Sequence, residues 1–85
     1  MDKKLKLYGA NWCPKSANLR NHLQSIWIHF DDHNVETEPE SEAIVRALYE
    51  GKLKFPTITY GDKHLKNPTT KELDVFLKEN ELLDD

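Results

Sequence analysis

The chain has 85 residues, 38% hydrophobic and 32% charged, with a formal net charge of −3. That is room for one hydrophobic core, so residues 1–85 are expected to form a single domain. The acidic balance argues against nucleic acid as the main partner, and no run approaches the ~20 apolar residues of a membrane span. The opening Met1-Asp2-Lys3-Lys4 leads into no apolar stretch of signal-peptide length. A single cysteine suits a reducing compartment, so cytoplasm is the expected location.

Residues 3–8 alternate charged and apolar side chains (Lys4, Leu5, Lys6, Leu7), the pattern of a half-buried strand. From Pro14 the period becomes helical, with Leu19, Leu23, Ile26 and Trp27 expected on the inner face. Pro14 fits the first helical turn, where its missing N–H costs nothing. Residues 28–35 read as a second strand. Thr37-Glu38-Pro39-Glu40 reads as a helix start with Thr37 as cap, Ala43, Ile44, Ala47 and Leu48 as the inner face and Gly51 as the stop. Residues 55–60 are β-rich, Gly61-Asp62 turns the chain into a short strand over 63–66, and Pro68 with a Thr69-x-x-Glu72 box opens a last helix carrying Leu73, Phe76 and Leu77 inward. The order is βαβαββα, three helices on a four-stranded sheet.

Cys13 lies in Asn11-Trp12-Cys13-Pro14-Lys15-Ser16, directly between a strand and a helix. Unpaired N–H groups and the positive dipole end at a helix start favour anions, hence thiolate. A free thiol is only about 3% ionised at pH 7, and thiolate is the reactive form, so this placement points to a one-thiol reaction centre. The alternative is a buried structural thiol. Ser16 stands where a dithiol oxidoreductase has its second cysteine. It can donate to a thiolate, or simply fill the first turn; a further reading is an engineered replacement that traps a mixed disulfide. Lys15 adds positive potential or is solvated; Trp12 shields the sulfur and stacks on a substrate, or packs partly into the core. Base rates alone make the Phe55–Pro56 bond trans.

His29 and His33 would lie ~13 Å apart along a strand, too far for one ion. His22 and His64 have no ligand companions, so no metal site is expected and the histidines read as surface groups. There is no paired acid–base dyad, and no glycine-rich phosphate loop, with glycines only at 9, 51 and 61.

Together, Leu7-Tyr8-Gly9-Ala10-Asn11-Trp12-Cys13-Pro14-Lys15-Ser16, Lys54-Phe55-Pro56-Thr57 and Leu65-Lys66-Asn67-Pro68-Thr69-Thr70 resemble the glutaredoxin family. The look is nearest to small bacterial glutaredoxin-like proteins that include the mycoredoxins. The resemblance implies the thioredoxin fold, α/β with a four-stranded mixed sheet flanked by three helices. It implies Cys13 as nucleophile, with Pro14, Lys15 and Ser16 in its motif, and Pro56 as a cis proline whose neighbour Phe55 pairs with a bound thiol peptide. It also implies a thiol-binding surface of Trp12, Phe55, Pro56, Asn67, Thr69 and Thr70, the N–H groups of the last two facing a carboxylate. Four departures stand out: Ser16 for the second cysteine, Ala10 for a basic residue, Lys54-Phe55 for Thr-Val, and Lys66-Asn67 for Gly-Gly. Lys15, Lys54 and Lys66 are the charges available to compensate.

The resulting expectation is a monothiol thiol–disulfide oxidoreductase that reduces mixed disulfides between proteins and a low-molecular-weight thiol. Glutathione or an analogous thiol would be a co-substrate, with no tightly bound cofactor, no nucleic-acid or membrane partner, and a monomeric state. Two other readings stand beside it. One is iron–sulfur cluster carriage by Cys13 with glutathione in a dimer, which Pro14 and Lys15 disfavour against the Cys-Gly-Phe-Ser motif of such proteins. The other is a non-catalytic binding module of the same fold.

Overall fold

The computed structural model describes residues 4–82. The elements are β1 (Leu5–Gly9), α1 (Pro14–Ser25), β2 (Asp31–Asn34), α2 (Pro39–Leu48), β3 (Thr57–Tyr60), β4 (Lys63–Lys66) and α3 (Thr70–Glu79), in the expected βαβαββα order. The sheet runs β2-β1-β3-β4. β1 pairs parallel with β2 and antiparallel with β3, and β3 pairs antiparallel with β4, so the sheet is mixed. Residue 3, the first of the expected opening strand, lies outside the described residues.

The strand alternation of β1 divides the core. Leu5 and Leu7 join Leu19 and Leu23 of α1, Ile58 of β3, and Leu73, Phe76 and Leu77 of α3 in the larger cluster. Tyr8 belongs instead to a smaller one with Val35 and Val45. Each fully buried leucine contributes about 1.5–3 kcal/mol. The strand ends that carry the loops are therefore held by packing rather than by the loops themselves.

Several expected details shift for identifiable reasons. β2 is the polar Asp-Asp-His-Asn segment alone, its pairing beginning with Asp31 opposite Lys6. Ile28 and Phe30, expected in that strand, pack at the margin of the larger core instead. So polar a strand is tolerable because it lies at the sheet edge. The cap of α2 is Glu38 rather than Thr37, with Pro39 in the first turn. Its carboxylate accepts from His33 Nδ1 (2.9 Å), Asn34 N–H (3.2 Å) and the Ser41 hydroxyl (2.9 Å). The hydrogen bond with His33, then those from Ser41 and Asn34, hold Glu38 below the usual carboxylate range. The inner face of α2 is Ser41, Val45 and, in part, Leu48, while Ala43, Ile44 and Ala47 are exposed, a rotation of the expected face by one residue. Thr69 and Glu72 form the expected capping box at α3.

The histidines are not all surface groups. His22 bonds Asp74 at 2.6 Å, tying α1 to α3, and His33 stacks on Tyr8 at 5.1 Å, both half-buried. Among the described residues no group of three or more His, Cys, Asp or Glu is placed to hold a metal ion, and no helix is long and apolar enough to cross a membrane.

All three helices end alike. Trp27, Glu50 and Glu81 have φ of 61°, 56° and 60°. The following N–H groups of Ile28, Gly51 and Leu82 reach back to the carbonyls of Leu23, Arg46 and Leu77. These are Schellman closures, in which the left-handed residue is usually glycine. Trp27, expected inside, takes this position and is 90% exposed. Gly51, expected as the stop, is one position further on. Because the left-handed conformation costs a side-chain-bearing residue about 1 kcal/mol and the Trp27 side chain packs on little, Trp27→Gly is expected to stabilise the fold by about that much. Urea unfolding measures it; a loss of stability would show that the indole contributes packing not apparent from its exposure.

Candidate active site

The end of β1 and the start of α1 build the site. Ala10 O accepts the N–H of Cys13 at 3.3 Å, closing a tight turn through Asn11 and Trp12. Cys13 then takes the N-cap position of α1 in extended conformation (φ −82°, ψ 116°), with Pro14 in the first turn. Its C=O receives the N–H of Ala17 at 3.0 Å. The sulfur is partly exposed and unpaired, as the sole cysteine must be. Cys13 is therefore not a buried core residue.

Two tendencies compete at this sulfur. Partial burial, the largest single influence, pushes the thiol pKa up. Hydrogen bonding from the Ser16 hydroxyl, the N–H groups of Ser16 and Lys15, and the Lys15 ammonium all push it down, and together they prevail. The Cys13 pKa therefore lies below that of ordinary cysteine, by the means open to a helix start.

Ser16 is fully buried. Its Oγ accepts the Ala10 N–H at 3.3 Å, which leaves its own hydrogen for the sulfur. The space for it comes from Gly9: a Cβ on that glycine would lie 2.7 Å from the Ser16 Cβ, closer than such atoms approach. Gly9 was missed as a site residue in the sequence, although an isolated glycine at a strand end often marks a close backbone approach.

The residues on either side of Cys13 reach different loops. Trp12 is 65% exposed, so it is no core residue. Its Nε1–H donates to Glu36 Oε1 at 2.6 Å, and its ring meets Phe55 edge-on at 5.8 Å. Lys15 Nζ donates to Asn67 Oδ1 at 3.1 Å, across to the loop between β4 and α3. Asn67 in turn donates its N–H to Pro56 O at 2.8 Å. Trp12, Lys15, Phe55, Pro56 and Asn67 are thus linked around Cys13. Glu36 is a second member the sequence did not single out.

The Phe55–Pro56 bond is cis, as the family resemblance implied and against the base rate. Just beyond it, Thr57 is buried, donating to Lys54 O at 2.9 Å and bonded to Tyr49 OH at 3.0 Å. Asn67 has φ 48°, in the left-handed region that asparagine tolerates better than most residues. Asn in place of the family's glycine thus keeps the turn. The N–H of Thr69, read as a carboxylate donor, is already committed to Glu72 Oε1 at 3.1 Å. Thr70 is the first residue of α3 and is exposed. Lys54 and Lys66 are neighbours: the Lys66 charge, then desolvation, a contact with Lys66 and the Lys52 charge lower the Lys54 pKa. No ion pair with a carboxylate is seen for either among the described residues.

Comparison with known proteins agrees with this geometry. Residues 5–65 match the Glutaredoxin family model. The chain belongs to the glutaredoxin family, and family and fold together support thiol–disulfide oxidoreductase chemistry. Among solved structures it is similar to a glutaredoxin from Archaeoglobus fulgidus, with a TM-score of 0.72 and 18% identity over 88% of this chain and 86% of that one. Wheat glutaredoxin aligns with a TM-score of 0.69 and 21% identity over 93% of this chain and 76% of that one. A buckwheat glutaredoxin–glutathione complex aligns with a TM-score of 0.69 and 16% identity over 96% and 83%. At these identities the likenesses show the shared fold. Comparison with curated proteins gives no match.

Ser16→Ala removes both the acceptor for Ala10 N–H and a donor to the sulfur. It is expected to cost about 1–2 kcal/mol of stability and to slow alkylation of Cys13 at neutral pH. Gly9→Ala is expected to cost about 1–3 kcal/mol through overpacking. Denaturant titration and iodoacetamide kinetics measure both; an unaffected alkylation rate in Ser16→Ala would mean that the hydroxyl does not serve the sulfur.

Proposed function

We propose that this protein is a monothiol oxidoreductase that removes low-molecular-weight thiols from proteins by thiol–disulfide exchange at Cys13. The observation that carries the reading is the sulfur itself: the only one of its kind in the chain, at a helix start, with its ionised form favoured by Ser16 and Lys15.

The chemistry needs no second cysteine. The Cys13 thiolate attacks the small-thiol sulfur of a protein–S–S–R disulfide. A Cys13–S–S–R bond forms, the old S–S bond breaks, and the protein leaves as thiolate, which takes a proton from water. A second RS⁻ then attacks the R-side sulfur on Cys13, giving RSSR and restoring the Cys13 thiolate. The net reaction takes protein–S–S–R and one free RSH to protein–SH and RSSR, and each exchange passes through a mixed disulfide. Ser16 supports the thiolate as attacking and as leaving group. It cannot expel R, so a small thiol must do so.

The surroundings favour a small anionic thiol such as glutathione. Lys54 and Lys66, side by side and without a carboxylate partner among the described residues, lie at the edge formed by Phe55 and Pro56, and Lys15 stands beyond Asn67. With the Thr69 N–H held by Glu72, these lysines are the better carboxylate partners. A glutathione complex exists for the buckwheat relative of the same fold. Such turnover belongs in a reducing compartment, for which we take the cytoplasm.

Incubation of the 85-residue chain with oxidised glutathione, followed by intact-mass analysis, tests the reading. One glutathione adduct on Cys13 is expected, reversed by added reduced glutathione and absent from Cys13→Ser, which should still fold. An adduct that free glutathione cannot remove, or none at all, would count against a monothiol cycle with this thiol. Parallel incubations with other biological thiols then identify the one accepted.

A further inference from the structure

We propose that Glu36 is a positioning residue: it holds the Trp12 indole edge-on to Phe55, and the resulting aromatic wall selects protein disulfides with an apolar side chain beside the reacting cysteine. This rests on the exchange reading above and names the kind of partner that the same site accepts.

A tryptophan that is 65% exposed is ordinarily free to rotate. Trp12 is not. Its Nε1–H is bound to a carboxylate oxygen at 2.6 Å, a charge-assisted hydrogen bond, and its ring plane stands at 83° to Phe55 with centroids 5.8 Å apart. The contrast lies within the same chain, since Trp27 is 90% exposed and its indole has no such partner among the described residues.

The acceptor is itself fixed. The N–H of Glu36 donates to Asn34 Oδ1 at 2.8 Å, and the N–H groups of Thr37 and Glu38 go to Asn34 O at 3.2 and 3.0 Å. Val35 N–H, one residue earlier, bonds Gly9 O at 2.9 Å. The turn that carries Glu36 is therefore pinned to the strand end that also carries the thiol. An aromatic ring fixed before the partner arrives loses little further freedom on binding.

The groups paired through the two chain neighbours of Cys13 differ in chemistry. Trp12 with Phe55 offers apolar ring surface; Lys15 with Asn67 offers an ammonium and an amide. An apolar side chain next to the partner's cysteine has one favourable place to go, and the Glu36 carboxylate discourages an acidic one there.

Two glutathionylated peptides, identical except for Phe or Ser next to the cysteine, provide the test, with the disulfide of glutathione and mercaptoethanol as a flank-free reference. The wild-type protein is expected to show a KM about five-fold lower for the Phe peptide, with similar kcat, the effect of one aromatic contact. Trp12→Ala and Glu36→Ala should abolish that preference. Glu36→Gln should retain it, because the amide oxygen still accepts the indole N–H. In a Trp27→Phe background, acrylamide should quench Trp12 more readily in Glu36→Ala than in Glu36→Gln. Equal KM values for the two peptides in the wild type, or a preference that survives Glu36→Ala, would overturn the inference while leaving exchange intact. Failure of the wild type with all three disulfides would overturn the exchange reading and this inference with it.

Discussion

The charge on one sulfur is what the rest of the site serves. Partial burial opposes ionisation of Cys13, and the opposing contributions come from a hydroxyl, two peptide N–H groups and one ammonium, all within the first turn of α1. Each is smaller than the effect of burial. They act together because Ser16 is locked in place, its oxygen receiving Ala10 N–H and its Cβ occupying the space that Gly9 leaves open. The glycine thus matters for the chemistry through Ser16. Upstream of it, Leu5 and Leu7 set into the larger core fix where β1 ends.

Around that centre the fold brings together segments far apart in sequence. The turn before α2 supplies Glu36, the segment entering β3 supplies Phe55 and Pro56, and the turn before α3 supplies Asn67. Each is tied to the motif by a hydrogen bond or ring contact rather than by proximity alone. A structure of this kind can present one nucleophile to an extended partner while keeping its flanks chemically distinct.

Much of this was legible in the sequence, and the limits have physical causes. The period of the last helix (Leu73, Phe76, Leu77), the capping box at Thr69 and the strand-to-helix position of Cys13 are local signals, and each appears in the structure as expected. Local signals fail where tertiary pairing decides. The segment 28–35 is apolar at its start, yet pairing with β1 selects only its polar end, Asp31–Asn34. The face of α2 rotates because Glu38, recruited by His33 and Ser41, displaces Thr37 as cap. Trp27 looks like a core residue by spacing but occupies a left-handed helix end, where the geometry turns it outward. Glu36 carries no sequence signal at all: its role exists only because a turn 24 residues away faces Trp12. The cis bond at Pro56 is likewise invisible to base rates and was implied only by the family resemblance.

The most direct measurement is the pH dependence of Cys13 alkylation in the folded protein and in the same chain unfolded in urea. A folded-state pKa below the unfolded one means that thiolate stabilises the native state above the unfolded pKa, and that this contribution is lost as pH falls through the folded value. The midpoint is expected at distinctly lower pH for the folded chain than for the unfolded chain. Coincident midpoints, or a folded midpoint at higher pH, would show that burial outweighs the helix start and Ser16, and would contradict the assignment of Cys13 as an activated nucleophile.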